Sequence, residues 1–350
     1  MSRRAATMAL TAVLLVALVA IAWLVPVPYV AMSPGPTENT LGTVDGKPII
    51  RIAGHKTYPT DGRLDLTTVA VTSPDQSLDL IGVISGWLDP TVAVVPRDYV
   101  YPPNQTAQQV EQQNAEDMQN SQETAIAAGL REVGVKVPSA VVVQSVVKGA
   151  PAVGKLRAGD VIMSVDGQAV SNRDQVVELV RKHRPGSAVR FDVRRDGKPL
   201  EVSVTAAKAP DDPNRAFVGI GPRDGFEFPF KVTVNLGQDI GGPSAGTMFA
   251  LAIVDKLTPG SLTDGKHIAG TGEITADGKV GPIGGIQQKI AGAKKDGATT
   301  FLVPADNCPA AAGADVSGIR LVKIATLKDA VHALEILAKD ADAKVPSCVG

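Results

Sequence analysis

The chain has 350 residues, 44 % of them hydrophobic, enough for a sizeable core and for two domains or one domain with a large insertion. Its 35 Lys and Arg almost cancel 36 Asp and Glu, leaving a net charge of −1, and only 4 % of residues are aromatic. The basic footprint and the stacking platforms of a nucleic-acid binder are both missing.

Ser2-Arg3-Arg4 is polar and basic, and no charged residue follows from Ala5 to Thr37. Ala5 to Val25 is apolar apart from Thr7 and Thr11, about the length of a membrane-crossing helix. Pro26 and Pro28 stop it. Trp23 and Tyr29 stand near its far end, where amphipathic rings favour the membrane interface, and Arg3 and Arg4 keep the near end cytoplasmic. A cleaved signal peptide is the rival reading, but it has a shorter apolar core, roughly 7–15 residues, and a small-residue cleavage site. Residues 1–8 are therefore read as a cytoplasmic N-terminus and 9–28 as a transmembrane anchor. Either reading sends the rest of the chain out of the cytoplasm. There Cys308 and Cys348 form a disulfide or remain two buried thiols; the disulfide is preferred.

Ser33-Pro34-Gly35-Pro36-Thr37 reads as a linker leaving the membrane. Ile49 to Ile52 and Leu64 to Val71 follow as strand-like runs. Between Gln105 and Glu132 there is no proline, and Val110, Met118, Ala125, Ile126 and Leu130 recur at helical spacing. The spacing predicts a long polar helix with one buried stripe.

A compact module runs from Val137 to Ala207. It reads as a strand (Ala140 to Val147), a Gly149-Ala150-Pro151-Ala152 turn, and the run Leu156 to Gly167. A helix follows, Arg173 to Arg184, with Val176, Val177, Leu179 and Val180 on its apolar face. Two strands close the module, Val189 to Arg194 and Leu200 to Thr205, joined at Asp196-Gly197. Gly149 to Lys155 has the spacing of a phosphate-binding loop, but Leu156 stands where Ser or Thr would hold Mg²⁺, so no nucleotide is expected.

The GAPA turn, the run LRAGDVIMSVDGQAV and the helix after it resemble a bacterial PDZ domain. The resemblance implies a groove that captures an extended peptide by strand addition. Its expected walls are the strand Ala140 to Val147, with Val141 and Val143, and the helix, with Val176 and Val180. Packing in the core is the alternative role of these valines. Gly134-Val135 is the candidate for the carboxylate-binding glycine–hydrophobe pair.

Two blocks carry chemistry. In the first, a strand from Lys231 to Leu236 leads through Gly241-Gly242-Pro243-Ser244-Ala245-Gly246 into an apolar helical segment, Thr247 to Val254. A serine at a helix entrance lies near unsatisfied backbone N–H groups able to hold an oxyanion. In the second, Ile274 and Val280 flank an Asp277-Gly278 hairpin turn, and Gly284-Gly285 opens a helix with Ile286, Ile290 and Ala293 as its apolar stripe. Lys289 sits at the edge of that stripe. Burial there would depress its pKa from roughly 10.4 toward a value useful for a general base.

The motif GGPSAG followed by TGEITADGKVGPIGGIQQK looks like the proteolytic domain of Lon-type serine–lysine peptidases. With the PDZ-like module and the apolar N-terminus, the chain resembles the PDZ-containing Lon-like proteases of bacterial membranes. The resemblance implies Ser244 as nucleophile, Lys289 as base, Thr271 as the hydroxyl that orients the lysine, and Gly242 with the Ser244 N–H at the oxyanion hole. A fainter likeness at Met118 to Ala125 makes the PDZ module an insertion. Relatives often carry an acidic residue three positions before the serine; here that position is Gly241, with Asp239 two further back. No ATPase module is evident.

The expected fold is α+β: a Lon-type domain split into 36–136 and 212–345, a PDZ-like β-rich insertion at 137–208, and one transmembrane helix. The expected activity is an ATP-independent endopeptidase without metal or cofactor, acting on protein or peptide substrates outside the cytoplasm. By resemblance, self-association into a ring is also expected. Two other classes compete with this reading. Gly242-x-Ser244-x-Gly246 fits the nucleophile elbow of an α/β-hydrolase, which needs an acid and then a histidine downstream; His267 follows too closely for that order, leaving His332 with Asp296, Asp306 or Asp315. A non-catalytic PDZ adaptor would leave Ser244 as a helix cap and Lys289 as a solvated lysine.

Overall fold

Pro26 has no N–H and disfavours a helical residue before it, so the first helix ends two residues earlier. This helix, α1 (Arg3–Leu24), has 22 residues and is long and apolar enough to cross a membrane. It is shorter at its C-terminal end than the expected span of 9–28 because residues 26 and 27 enter a strand. The computed structural model describes residues 3–103, 105–237 and 240–348.

Strand β1 (Pro26–Val27) is followed by β2 (Tyr29–Asn39), which pairs antiparallel with β3 (Arg63–Val71). The supposed linker Ser33 to Thr37 is thus part of a strand. Its Gly and Pro fit because the register slips between Pro34 and Thr37, and a bulge tolerates a Pro that has no N–H for the ladder. β4 (Leu78–Asp79) pairs with β1 and leads into α2 (Leu80–Leu88), capped by Asp79, which accepts from the Gly82 N–H at 2.6 Å. β5 (Ala93–Pro96) returns along β2 and runs into α3 (Arg97–Val100). A capping box at Thr106 and Gln109 opens α4 (Ala107–Glu132). The α4 stripe of Met118, Ala125, Ile126 and Leu130 is buried as expected, with Ser121 buried among them.

The chain then forms a separate unit, Gly134–Lys231, before returning to the first. In this unit β6 (Ser139–Val146), β7 (Val161–Val165), α5 (Arg173–Arg181), β8 (Ala188–Arg195), β9 (Lys198–Thr205) and β10 (Ile220–Phe226) make an antiparallel sheet of order β9-β8-β7-β6-β10 with one helix. Asp196 and Gly197 both adopt positive φ, as a two-residue hairpin turn requires. Val141, Val143, Val165, Val176, Phe191 and Val193 form its core. Because β10 pairs with β6, this unit runs past the expected boundary at residue 208, and residues 212–231 belong to it rather than to the returning segment.

The returning segment supplies α6 (Gly246–Leu257), β11 (His267–Gly270), α7 (Ile286–Lys295), β12 (Thr300–Pro304), α8 (Cys308–Ala311), β13 (Arg320–Ile324) and α9 (Leu327–Lys339). Its strands join those from the N-terminal segment in a mixed sheet of order β13-β12-β11-β3-β2-β5, parallel from β13 to β3 and antiparallel beyond. Leu64, Asp65, Leu66 and Thr67 are consecutive on β3 and all buried, so both faces of the sheet are covered. Helix α7 packs on β2 and β3, α6 packs on β3, and α4 and α9 pack on α6. The Cys308 and Cys348 sulfurs are bonded, with Cα atoms 4.9 Å apart, against the cluster around Phe301 and Ile319.

Helix α4 approaches α6 so closely that a Cβ on Gly129 would lie 2.9 Å from the Ala250 carbonyl oxygen and 3.0 Å from Ile253. Gly129→Val should therefore destabilise this unit by about 1–3 kcal/mol, read as a lower urea midpoint of the detergent-solubilised protein. An unchanged midpoint would contradict this packing.

Candidate active site

Ser244 lies in the turn that feeds α6, and that turn is held from two sides. From α4, the Asn114 carbonyl accepts from the Gly242 N–H at 3.0 Å, and the Ser121 hydroxyl donates to the Pro243 carbonyl at 2.9 Å. From the segment after β11, the Thr271 hydroxyl (3.0 Å) and the Gly272 N–H (2.9 Å) donate to the Ser244 carbonyl. Gly242 has φ +84°, a conformation open to glycine and costly for a residue with a Cβ. The Ser244 hydroxyl is thereby fixed at a half-buried position at the helix entrance.

Lys289 comes from α7. Ile286, Ile290 and Ala293 turn into the core with Phe301 and Val303, which rotates the neighbouring Lys289 toward β3. Its side chain is only 3 % exposed. The Lys289 Nζ donates to the Thr67 carbonyl at 2.6 Å and reaches the Ser244 Oγ at 3.1 Å. The β2–β3 register slips between Pro34 and Thr37, opposite Thr68 and next to the Thr37–Thr67 pair. Among the described residues no carboxylate bonds the amine, and burial lowers its pKa from 10.5 to about 8. An appreciable neutral fraction at physiological pH, within hydrogen-bonding reach of a hydroxyl, makes this amine able to accept a proton from that hydroxyl. A cleft of about 480 Å³ opens over the pair, lined among others by Thr68, Val69, Ala70 and Glu273.

Comparison with known proteins bears on both units. Residues 237–323 match the Lon protease (S16) C-terminal proteolytic domain, and residues 109–206 match the PDZ domain. This chain carries an S16-type proteolytic domain and a PDZ domain. Its S16 segment is 47 % identical over 68 residues to the Lon protease of Roseiflexus castenholzii, a stretch covering 19 % of this chain and 8 % of that protein. It is 42 % identical over 90 residues to Lon protease 1 of Herpetosiphon aurantiacus, covering 25 % of this chain and 11 % of that protein. The chain thus spans only a small part of the length of the curated relatives it matches. A solution structure of a Geobacillus thermodenitrificans protein is 36 % identical, with 23 % of this chain and 94 % of that one covered and a TM-score of 0.22. The crystal structure of the PDZ domain of an SdrC-like protein from Listeria innocua is 27 % identical, with 24 % and 92 % covered and a TM-score of 0.22. The PDZ match begins inside α4, whereas the compact unit begins at Gly134.

Two expected details of the S16 site differ. Thr271 was expected to contact Lys289, but its hydroxyl donates to the Ser244 carbonyl, and the second partner of the lysine is the Thr67 carbonyl. Gly242 was expected to offer its N–H to an oxyanion, but the Asn114 carbonyl already takes it. The Ser244 N–H has no partner among the described residues. Asp239 lies outside the described residues. Neither histidine of the hydrolase alternative lines the cleft: His332 is exposed on α9, and the His267 Nε2 is 2.8 Å from the Asp65 Oδ2.

Two features were missed in the sequence. Ser121 supports the nucleophile turn, and its signal was a polar residue within the buried α4 stripe. The other is a charged network in which Arg63 donates to Asp65 (2.7 Å) and Asp296 (2.8 Å), with His267 on Asp65. Asp65, His267 and Asp296 offer ligand atoms within 4.8 Å of one another. The Asp296 carboxyl is held below its usual range by the Thr37 hydroxyl and by Arg63. These residues lie far apart in sequence, and no spacing links them.

The PDZ domain also corrects its expected groove. β6 has β7 on one side and β10 on the other, so it has no free edge to add a peptide, and Val141 and Val143 are fully buried. The outer strand beside α5 is β10. A groove of about 180 Å³ lies there, lined by Val176 and Val180 from α5 and by Phe217, Val218, Gly219 and Ile220. Gly219-Ile220, with Gly219 at φ +80°, lines this groove, whereas Gly134-Val135 does not. The strand bordering the groove is the last of the domain in sequence and lies after α5, not before Ala140.

Lys289 makes the site costly to fold. Its proton is bound more weakly in the folded state, so the penalty is complete below pH 8 and relieved as pH rises from about 8 to 10.5. Lys289→Met removes this penalty, and the stability difference between variant and wild type should shift by about 3 kcal/mol in favour of wild type across that window. Urea titrations at a series of pH values read it; a difference independent of pH would mean that the amine is not desolvated.

Proposed function

We propose that this chain is a serine endopeptidase that hydrolyses peptide bonds without ATP, anchored by α1 and receiving extended segments of membrane or extracytoplasmic proteins through its PDZ groove. The observation that carries the reading is the buried Lys289 Nζ 3.1 Å from the Ser244 Oγ. Matches to the S16 proteolytic domain and to proteins named Lon protease support it. The Cys308–Cys348 bond supports an oxidising compartment.

In this mechanism neutral Lys289 takes the Ser244 hydroxyl proton as Oγ attacks the peptide carbonyl carbon. The Thr67 carbonyl holds the amine in place, and the new ammonium keeps that hydrogen bond. Negative charge on the former carbonyl oxygen develops at the α6 entrance, beside the Ser244 N–H. The tetrahedral intermediate collapses, the C–N bond breaks, and the Lys289 ammonium protonates the leaving amine. Water then attacks the Ser244 ester, giving its proton to Lys289, which returns it to Oγ as the acid product leaves. No step calls for a metal or an organic cofactor. Self-association into a ring would enclose such a site; it is proposed from the domain class alone.

Ser244→Ala and Lys289→Ala should each abolish cleavage of an unfolded protein substrate, while His332→Ala should keep it. Loss of hydrolysis in the His332 variant but not the Lys289 variant would replace the peptidase by an esterase-type site. The wild-type rate should rise with pH through an apparent pKa of about 8, since only the neutral amine is a base. In the PDZ groove, Val180→Asp should lower kcat/KM about tenfold or more for a protein substrate and leave a short peptide unaffected. Equal effects on both substrates would argue against PDZ delivery.

A further inference from the structure

Helix α2 carries an apolar face that is left exposed among the described residues. Leu80, Ile81, Ile84, Trp87 and Leu88 are exposed and recur at the spacing of one helix face. Trp87 is 64 % and Leu88 79 % exposed. The opposite face is fixed: Val83 and Gly86 are buried, and a Cβ on Gly86 would come within 2.6 Å of Val94 on the following strand. The helix therefore cannot roll to hide its outer side chains.

Its position indicates what covers them. The residues that end α1 and those that begin α2 are held together, because Pro26 pairs with Asp79 and Val27 with Leu78. α2 therefore starts about one strand spacing, roughly 4.8 Å, from the chain that leaves the membrane-length helix. A second link lies nearby, where the Arg97 N–H at the start of α3 donates to the Pro28 carbonyl at 2.9 Å. Tyr99, two residues on, is exposed. Trp87 and Tyr99 are thus exposed on elements tied to the chain just after α1, whose last turn carries the exposed Trp23, and such rings favour the interfacial layer.

We propose that α2 is a second membrane contact, lying in the bilayer surface with Ile84, Trp87 and Leu88 among the upper acyl chains. The contact would hold the S16 domain against the bilayer rather than on a free tether, presenting its cleft to chain segments close to the membrane. The proposal rests on the reading of α1 as a membrane span.

The chain has two tryptophans, Trp23 and Trp87, so each can be isolated in the full-length protein. Trp23→Phe leaves Trp87 to report on α2, and Trp87→Phe leaves Trp23 to report on α1. Both variants are reconstituted in phosphatidylcholine–phosphatidylglycerol vesicles, with and without lipids brominated high on one acyl chain, and titrated with iodide. We expect brominated lipid to reduce Trp87 emission at least about twofold, and iodide to reach it poorly. Trp23 quenched by lipid while Trp87 is reached by iodide would overturn the surface contact and keep the span. Trp87 shielded from both quenchers would mean a protein-covered face, such as a second copy, and would also overturn it. Trp87 quenched by lipid with Trp23 unquenched would keep the contact and remove the span. Quenching of neither would remove both.

Discussion

A buried lysine amine held between a backbone carbonyl and a serine hydroxyl is the constraint on which the S16 unit depends. Among the described residues Lys289 has two oxygen partners, the Thr67 carbonyl and the Ser244 hydroxyl, and neither carries a charge to stabilise an ammonium. Desolvation therefore acts unopposed, and the pKa falls to about 8. An aspartate in this cavity would have favoured the ammonium and removed the base. The same burial lowers stability at neutral pH, which ties the chemistry directly to the folding energy of the unit.

The rest of the catalytic unit keeps these two side chains in register. β3 supplies the Thr67 carbonyl, β2 bulges beside it, α7 brings the lysine, and α6 begins at the serine. The turn before α6 is clamped by α4 through Asn114 and Ser121 and by the Thr271-Gly272 segment. Because α4 precedes the PDZ domain and α6 follows it, the active-site turn forms only when the two halves of the interrupted unit have joined. The charged network of Arg63, Asp65, His267 and Asp296 ties β3 and β11 to the end of α7, two turns beyond Lys289.

The two apolar surfaces outside the catalytic cleft share one logic. In the PDZ domain, β10 and α5 leave a strand edge beside a hydrophobic helix face, suited to an extended segment. In the S16 unit, α2 leaves an apolar stripe beside the end of α1. A protease that engages substrate with one surface and the membrane with the other would act on chains near the bilayer.

Sequence alone determined the elements whose cause is local. The apolar run of α1, the α4 stripe, the Asp196-Gly197 turn and the pairing of a serine at a helix entrance with a lysine beside an apolar stripe were all legible, because periodicity, turn chemistry and motif spacing are short-range properties. Only the tertiary structure decided which strand edge is free, since β6 and β10 look alike as sequences and differ by what pairs with them. It likewise made Ser33 to Thr37 a bulged strand instead of a linker, gave the Thr271 hydroxyl to the Ser244 carbonyl, and assigned the Thr67 carbonyl to Lys289. A backbone carbonyl carries no residue signature, and its availability depends on a ladder whose partners lie elsewhere in the chain.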